Sequence, residues 1–522
     1  MLSSPLADLA DRAVTDARRT LLVEGTKRLT FAEVHRQVLA IGAYLRSLGI
    51  AKGDRVAVLM GKSHEQAIAQ LGALASEAIM VPVSELLKPD QVRHILRDCS
   101  VKALIADHDR IDAAGDLVST LRIISVGGSS PRAIGTLEAI VDAPASPWRP
   151  QIIGQDSAAI IYSSGSTGLP KGIVLSHRNL WDGARIVTSA DYLGLGPDDR
   201  LAQVMSLNFD YGLNQLYGAI RVGAELHFTT FHFPKDLFVF LRASGITTLA
   251  LMPVFLNRLF DPRFFKPEFA EGITTLKRIT TSGGRMPLPT VRAIRSAFPK
   301  TDLYLMYGLT EAFRSTYLPP SEVDRRPGSI GKAIPDAQML VLDEHGQECA
   351  PGVPGELVHR GGVISKGYWN APEKTAERFK TLADPSGNAE TVVYSGDLVN
   401  RDEDGYIYFM GRRDNMIKTS GHRVSPEEIE RAAEQMGNVE HAVAFGREHD
   451  VLGEEIILVA IARDGHTVEE AAVKSFLRER LAAYMIPSRV LVQQGFAVTP
   501  GNQGKVDRTL AKTRALEMLT KS

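Results

Sequence analysis

Short apolar segments alternate with segments of helical spacing over the first 150 residues, and this alternation restricts the fold more than any other feature. Apolar segments occupy 54–60, 79–83 and 102–106, and helical spacing is found over 31–48, 66–76 and 91–98. Alternating strands and helices favour βαβ units and a mostly parallel sheet. The alternation returns further along, with strands predicted at 201–205, 225–228, 247–251 and 302–306.

The pattern changes after Gly331. Short strands bounded by glycine and aspartate are predicted at 339–343, 355–359 and 406–409, which is typical of a small antiparallel or β-barrel-like subdomain. A second break at Gly411 precedes a mixture of helices (426–435 and 468–481) and strands (441–445 and 456–461). The sequence therefore predicts an α/β fold: a large N-terminal domain of parallel-type α/β layers with that subdomain, then a small α+β C-terminal domain.

Length and charge restrict the class of protein. A chain of 522 residues is too long for one hydrophobic core, so two or more domains are expected. Lys plus Arg (60) nearly equals Asp plus Glu (61), so neither nucleic acid nor an anionic membrane is an expected partner.

The two cysteines and the lack of long apolar runs bear on the compartment. Cys99 and Cys349 cannot by themselves form a disulfide framework or a zinc cluster, and they suit a reducing, cytoplasmic compartment. No apolar run approaches the roughly 20 residues of a membrane helix, and the N-terminus lacks the pattern of a signal peptide.

A segment of hydroxyls and glycines follows the apolar run at 160–162. Glycines let backbone N–H groups approach an anion, hydroxyls add donors, and a lysine adds charge, so the segment predicts a phosphate-binding loop. It satisfies neither the Walker A pattern nor the GxSxG pattern, and a simple flexible turn does not explain why a Pro-Lys pair precedes the next apolar run. The candidate residues are Ser163, Ser164, Gly165, Ser166, Thr167, Gly168 and Lys171.

This loop resembles the signature loop of the adenylate-forming superfamily, which includes acyl-CoA synthetases, amino-acid adenylation enzymes and luciferases. Other segments match that family in order and spacing, from Gly53 to Lys505. The resemblance implies an N-terminal AMP-binding domain over 1–411, a hinge at 412–414 and a mobile C-terminal domain over 415–522.

The segment from Met306 to Ala312 follows a predicted strand, where open α/β sheets place ligands. The resemblance implies that Tyr307 stacks on adenine, Thr310 contacts the α-phosphate, and Glu311 holds Mg²⁺. The hard oxygens of a carboxylate suit that ion. Taken alone, the segment is better explained as a helix N-terminus capped by Thr310.

Three more segments match the family's nucleotide site. The resemblance implies that Asp397 bonds both ribose hydroxyls, that Arg412 contacts the ribose or phosphates, and that Gly283 lines the adenine side. From the residues alone, a Gly-Asp pair is also a common turn. The pair Arg412-Arg413 also reads as solvated basic residues, an interpretation that applies best to Arg413.

The last matches concern the C-terminal domain. The resemblance implies that Asp414 is the hinge and that Gly421 lies on the strand that lines the thiol tunnel. Lys505 is implied to be the adenylation lysine, whose cation would stabilise charge in the transition state. Spacing alone leaves Lys505 open to interpretation as an exposed lysine in a glycine-rich segment.

The segment from 205 to 216 corresponds to the family's acyl pocket. A Phe-Asp pair stands where many acyl-CoA synthetases carry histidine, as in amino-acid-activating members whose aspartate pairs with the substrate's amino group. A buried carboxylate needs a partner. An ammonium group or Arg314 could provide it for Asp210, and both remain open. The predicted pocket contains Phe209, Asp210, Tyr211, Asn214, Met306 and Arg314.

The implied function is ATP-dependent activation of a small carboxylic acid, with transfer of the acyl group to the thiol of CoA and with Mg²⁺ as the metal. The alternative is a stand-alone amino-acid adenylating enzyme that loads the phosphopantetheine of a carrier protein. A luciferase-like monooxygenase and a nucleotide-sensing pseudoenzyme are further alternatives. The set of Lys171, Thr310, Glu311, Asp397 and Lys505 disfavours the pseudoenzyme.

Overall fold

The computed structural model describes residues 4–143, 148–163, 170–383, 386–419, 422–449, 452–463, 465–493 and 506–520. The α-helices are α1 (Pro5–Thr15), α2 (Phe31–Ser47), α3 (His64–Ala75), α4 (Pro89–Asp98), α5 (Leu137–Val141), α6 (His177–Thr188), α7 (Asp210–Val222), α8 (Pro234–Ser244), α9 (Pro253–Leu259), α10 (Leu288–Ala297), α11 (Pro372–Arg378), α12 (Pro426–Ala433), α13 (Glu470–Arg478) and α14 (Arg508–Thr520).

The strands are β1 (Thr20–Glu24), β2 (Lys27–Thr30), β3 (Arg55–Leu59), β4 (Ile79–Val83), β5 (Ala103–Asp107), β6 (Arg122–Val126), β7 (Gly135–Thr136), β8 (Ser157–Ser163), β9 (Lys171–Ser176), β10 (Arg200–Gln203), β11 (Glu225–Phe228), β12 (Thr248–Ala250), β13 (Arg278–Thr281), β14 (Asp302–Tyr307), β15 (Thr316–Leu318), β16 (Ser329–Ala333), β17 (Ala337–Leu342), β18 (Gly355–Gly361), β19 (Phe379–Ala383), β20 (Ala389–Arg401), β21 (Ile407–Arg412), β22 (Ile417–Thr419), β23 (His422–Val424), β24 (Val439–His449), β25 (Gly453–Ala462) and β26 (Arg489–Gln493).

The chain forms two compact units. Unit 1 contains residues 1–339 and 359–393, and unit 2 contains 340–358 and 394–522. The hinge at 412–414 stays a prediction.

Unit 1 contains two parallel-type sheets. One has the strand order β7-β6-β5-β3-β4-β8-β9 and is parallel except at its last pair, β8 with β9. In the other, the strands β14-β13-β12-β10-β11-β1 are parallel neighbours, and β15 and β2 add antiparallel strands at the two ends of that run. These sheets confirm the parallel α/β layers predicted for the N-terminal part.

The packing of α2 against α3 shows how closely the layers of unit 1 approach one another. A side-chain Cβ on Gly72 would lie 2.5 Å from the Ile41 side chain, and one on Gly42 would lie 2.9 Å from the backbone of Ala75. Thr30 and Glu33 cap α2 reciprocally, which satisfies donors at its start. Each helix is thus fixed both at its end and along its face.

Unit 2 is built from antiparallel strands and short helices. Its strand β20 pairs with β21, β22 pairs with β23 and β25, and β24 pairs with β25, all antiparallel, while β26 is parallel to β25. Helices α12 and α13 cover a core that includes Ile429, Leu458 and Leu477. The predicted α+β composition is confirmed. The expected barrel-like subdomain is antiparallel, and its strands close no barrel within the described ranges.

The described helices include none with the length and apolar character required to cross a bilayer.

Candidate functional site

The predicted phosphate loop lies between two strands of a hairpin. Ser163 ends β8 and Lys171 begins β9, and the two residues are register partners. The intervening candidates Ser164, Gly165, Ser166, Thr167 and Gly168 lie outside the described residues. The ammonium of Lys171 lies 5.8 Å from the centre of the Tyr368 ring, within cation–π range. The hairpin therefore brings one positive charge to the end of the sheet.

Tyr368 links that lysine to Glu311. The Tyr368 hydroxyl donates to Glu311 Oε1 at 2.6 Å, and the backbone N–H of Ser365 donates to the Glu311 carbonyl at 2.8 Å. Oxygen Oε2 of Glu311 receives no hydrogen bond from the described residues. A carboxylate oriented through one oxygen and open at the other fits Mg²⁺, which takes hard oxygen ligands. The sequence motifs predict no site residue at 367–369, whereas the structure places the Tyr368 hydroxyl on Glu311.

Tyr307 lies over a buried histidine. Its ring and that of His359 are stacked at 6.2 Å between centroids and 28° between planes. His359 is fully buried, and neither of its ring nitrogens has a hydrogen-bond partner among the described residues. Burial lowers the pKa of His359 to about 3, so the ring is neutral. The flat imidazole ring of His359 packs against the Tyr307 ring and supports it. No sequence motif indicated this role for His359.

The predicted adenine side lies at the same sheet edge. Strands β13 and β14 are parallel neighbours with Thr281 opposite Leu305, so Gly283 and Tyr307 both follow at the carboxyl ends. Gly283 has a φ of +87°, a left-handed conformation that side chains disfavour. This edge is where the family resemblance expects a nucleotide.

Helix α7 begins with the Phe-Asp pair of the predicted acid pocket. Phe209 is the N-cap residue and Asp210 the first residue of the helix. A Cβ on Gly212 would lie 1.9 Å from the Ser206 carbonyl oxygen, so only glycine fits there. The Thr310 hydroxyl donates to Asp210 Oδ2 at 3.1 Å. The predicted phosphate contact and the predicted acid-pocket carboxylate are therefore direct neighbours.

The ion pair between Asp210 and Arg314 is not formed. No salt bridge joins them in the described part of the chain, and Arg314 instead lies with its guanidinium 4.9 Å from the centre of the Tyr211 ring. Tyr211 in turn forms a 2.8 Å hydrogen bond with Thr280. Asp210 is therefore available to a polar group of a ligand, whereas Arg314 is a separate feature of the pocket.

Two other pocket candidates are found beside these residues. Met306 is buried on β14 opposite Tyr317. Asn214 is buried one helical turn after Tyr211 on α7, and its amide nitrogen has no acceptor in the described ranges. The predicted pocket residues of unit 1 therefore come from α7, β14 and the turn that follows β14.

Unit 2 holds the predicted ribose aspartate. Asp397 is buried and accepts a 2.7 Å hydrogen bond from Nε of Arg412, its register partner on β21. The backbone N–H of Asp397 donates to the Ser395 hydroxyl, which donates to the Leu357 carbonyl. The structure thus brings two of the sequence-predicted residues together and fixes the aspartate from behind.

Arg413 is exposed over 52% of its side chain, as the solvated interpretation predicts, and it also forms an ion pair. Its Nη1 donates to Glu356 Oε2 at 2.8 Å, and the other oxygen of Glu356 accepts from the N–H of Gly396 at 2.9 Å. Arg413 therefore contributes to the turn that precedes Asp397. This contact joins β18 to β20 and β21, and spacing in the sequence does not reveal it.

The remaining C-terminal candidates are only partly described. Asp414 lies in the 3-10 turn Arg413–Asn415, whereas Gly421 and Lys505 lie outside the described residues. The chain after Lys505 is anchored, because both terminal nitrogens of Arg508 bind the carboxylate of buried Glu430. Helix α14 therefore starts from a fixed point.

A charged cluster, here called the His64 cluster, lies outside these sites. His64 Nδ1 contacts Glu24 at 2.6 Å, and its Nε2 lies 2.8 Å from Glu65. Burial alone would lower the pKa of His64, but the hydrogen bonds with the two carboxylates outweigh it and the net pKa is raised. Burial likewise opposes ionisation of Glu65, yet its contacts with His64 lower its pKa to about 2. The cluster is a buried histidine between two carboxylates, which favour its protonated form.

Known proteins resemble this chain over its length. The model of the AMP-binding enzyme family matches residues 9–369, and that of the AMP-binding enzyme C-terminal domain matches 428–500. The L-proline–[L-prolyl-carrier protein] ligase of Streptomyces coelicolor is 30% identical over 95% of this chain and 94% of its own length. Bacitracin synthase 3 of Bacillus licheniformis is 29% identical over 97% of this chain, which spans only 8% of that protein.

A solved structure shows the same fold. The crystal structure of ATP-bound MatB from Rhodopseudomonas palustris matches with a TM-score of 0.87 and 25% identity, over 98% of this chain and 99% of that one.

Proposed function

We propose how this chain, which belongs to the AMP-binding enzymes, carries out its reaction as an ATP-dependent acid–thiol ligase. In the first step a carboxylate oxygen of the acid attacks the α-phosphorus of ATP. The bond from that phosphorus to the bridging oxygen breaks, and pyrophosphate leaves. In the second step a thiol attacks the acyl carbon and gives up its proton, the acyl–oxygen bond to AMP breaks, and a thioester forms.

The proposal of a nucleotide site rests on one observation, the contacts that join Lys171, Tyr368 and Glu311 in unit 1. Lys171 and the loop of Ser163 to Gly168 bind the phosphates, and Glu311, oriented by Tyr368, holds Mg²⁺. The metal supplies charge neutralisation at the phosphates. Tyr307, supported by His359, takes the adenine, and Thr310 takes the α-phosphate.

The proposed roles in unit 2 follow the family motifs. Asp397 binds the ribose hydroxyls with Arg412 beside it, and its buried, hydrogen-bonded position supports a fixed acceptor. Asp414 is the proposed hinge, Gly421 the proposed residue beside the thiol, and Lys505 the proposed adenylation lysine. A loop that delivers a cation and then withdraws separates the two half-reactions.

Two acceptors are proposed for the acyl group. The first is CoA, with a small carboxylic acid as substrate. The second is the phosphopantetheine of a carrier protein, with an amino acid as substrate. Asp210 favours the second, because it forms no ion pair with Arg314 and can receive an ammonium group. The Streptomyces coelicolor relative, whose name describes a carrier-protein ligase, supports it as well.

We place the reaction in the cytoplasm. Cys99 and Cys349 are both free and buried, and thiols persist in a reducing compartment.

ATP–pyrophosphate exchange tests the function, with the purified chain and a panel of amino acids, hydroxy acids and short fatty acids. The variant Lys505→Ala should lose exchange but still transfer the acyl group from a supplied acyl-adenylate. Lys512→Ala, whose ammonium lies over the Phe445 ring, is the matched control and should retain both steps. Equal loss of both steps in Lys505→Ala would contradict the proposed role of Lys505.

A further inference from the structure

Arg314 is a buried cation without an anionic partner in the described part of the chain. Only 5% of its surface is exposed, and its side chain forms no ion pair or hydrogen bond with the described residues. Its Nε is buried without an acceptor, and its one recorded side-chain contact is the face of the Tyr211 ring. An arginine cannot lose its proton in a protein, so the positive charge persists.

A buried charge without a partner is among the most unfavourable features that a fold can contain. The face of an aromatic ring attracts a cation, but it satisfies none of the five N–H donors of the guanidinium. The guanidinium therefore offers donors that no described residue accepts and that a bound anion can accept.

The backbone specifies this placement. Phe313, the residue before Arg314, is buried with a φ of +45°, a left-handed conformation that is unfavourable for an aromatic residue. A Cβ on Gly183 would lie 2.3 Å from the Phe313 ring, so a glycine is required where that ring packs. A strained turn, packed against a required glycine, holds Arg314 in its position.

Other donors in this part of unit 1 also lack acceptors. The Tyr192 hydroxyl is fully enclosed and the Asn214 amide nitrogen is buried, and neither has a hydrogen-bond partner in the described part of the chain. The charge of Arg314 acts on the Tyr192 hydroxyl and favours its ionised form, although burial raises the pKa of Tyr192 overall. Arg314, Tyr192 and Asn214 thus provide one cation and two neutral donors that suit an anionic group, while Asp210 lies on the same helix as Asn214 and suits a donor of the ligand.

We propose that Arg314 selects an acid that carries a second carboxylate. The substrate is then a short dicarboxylic acid, with or without an amino group. One carboxylate is adenylated, and the other forms paired hydrogen bonds with the guanidinium. The inference rests on the proposed function, since it concerns the acid that this function activates.

Exchange of pyrophosphate with matched pairs of acids tests the inference. Each pair holds a diacid and the monoacid of equal length, such as succinate with butyrate, glutarate with valerate, and glutamate with 2-aminopentanoate. We expect at least one diacid to exceed its monoacid at least tenfold in kcat/KM. Arg314→Met should lower kcat/KM for the diacid at least tenfold and change kcat/KM for the monoacid less than threefold. Arg314→Lys should give an intermediate kcat/KM for the diacid.

Thermal unfolding of the free protein provides a second readout. Because Arg314 has no ion pair or side-chain hydrogen bond with any described residue, Arg314→Met should unfold at the same temperature as the parent chain or higher. The active diacid should stabilise the parent more than the variant. A lower unfolding temperature for Arg314→Met would indicate a structural role and overturn the inference.

The outcomes separate the inference from the function on which it rests. Equal activity with diacids and monoacids, or equal loss of both in Arg314→Met, refutes the selection of a diacid while the ligase function stands. If no acid of the panel supports exchange, whether or not it has an amino group, the result counts against both the proposed function and the inference.

Discussion

Replacing Tyr368 with phenylalanine should impair use of MgATP while it leaves the fold intact. The change removes the 2.6 Å hydrogen bond to Glu311 Oε1 and keeps the aromatic ring. The ring keeps its edge contact with Phe379, 5.8 Å between centroids, and its face remains available to Lys171. The backbone N–H of Tyr368 still donates to Thr375.

The size of the effect follows from the kind of bond. A hydrogen bond to a charged group contributes about 1.5–3 kcal/mol, and loss of the group that orients a metal-binding carboxylate weakens metal affinity roughly 10- to 100-fold. Tyr368 is only half-buried, so solvent replaces part of the lost bond. We therefore expect about 1–2 kcal/mol, or roughly a 5- to 30-fold lower kcat/KM for MgATP.

The assay is pyrophosphate exchange at several Mg²⁺ concentrations, with thermal unfolding as a check on folding. Higher Mg²⁺ should restore part of the activity of Tyr368→Phe. Tyr408→Phe is a matched control, because it removes a 3.1 Å bond from a tyrosine hydroxyl to the carboxylate of Asp402, which is not a candidate site residue. A loss below twofold in Tyr368→Phe, or an equal loss in Tyr408→Phe, would refute the role given to the Tyr368–Glu311 bond.

Two further predictions concern packing and charge. Gly183→Ala should destabilise the chain by about 1–3 kcal/mol, because the new Cβ lies 2.3 Å from the Phe313 ring, whereas Gly196→Ala, with no atom within 4 Å, should change stability by less than about 0.5 kcal/mol in thermal unfolding. The pKa of His64 is raised from 6.5 and that of Glu65 is lowered from 4.5 to about 2, so the histidine stabilises the fold below pH 6.5 and the glutamate above pH 4.5. Urea unfolding of His64→Gln from pH 3 to pH 9 should therefore show its largest deficit between pH 4.5 and 6.5, and a deficit that does not vary with pH would contradict this interpretation.

Segments buried on both faces could be predicted closely from the sequence. The strands β4 (Ile79–Val83) and β11 (Glu225–Phe228) have the bounds that their apolar runs predict. Strand β24 (Val439–His449) is longer than the predicted 441–445, because its last residues are polar and pair with β25 through the ladder and through an ion pair of Arg447 with Glu455. The pattern of apolar residues predicts which residues are buried. It does not predict how far a strand continues when polar cross-strand pairs extend it.

Family motifs identified single residues of the site but not their partners. Tyr307 ends β14 and Glu311 follows shortly after it, as expected, whereas Asp397 lies within β20. His359 and Tyr368, which support two of them, belong to the distant segments 355–361 and 365–369. Such contacts depend on how segments far apart in the chain are brought together, and spacing within one motif contains no information about them.

Arg314 shows the same limit for charge. From the sequence, an ion pair of Asp210 with Arg314 is one of two open alternatives, since both residues belong to the predicted pocket. The structure separates them through Phe313, whose left-handed backbone turns the arginine onto the Tyr211 ring. No residue pattern indicates a positive φ at a phenylalanine, because glycine and asparagine are the residues that usually adopt it. Phe313 adopts a backbone conformation against its own preference, and it does so directly before a buried cation that pairs with no described residue. Such strain is typical of functional sites. The family motifs do not specify which acid pairs with that cation.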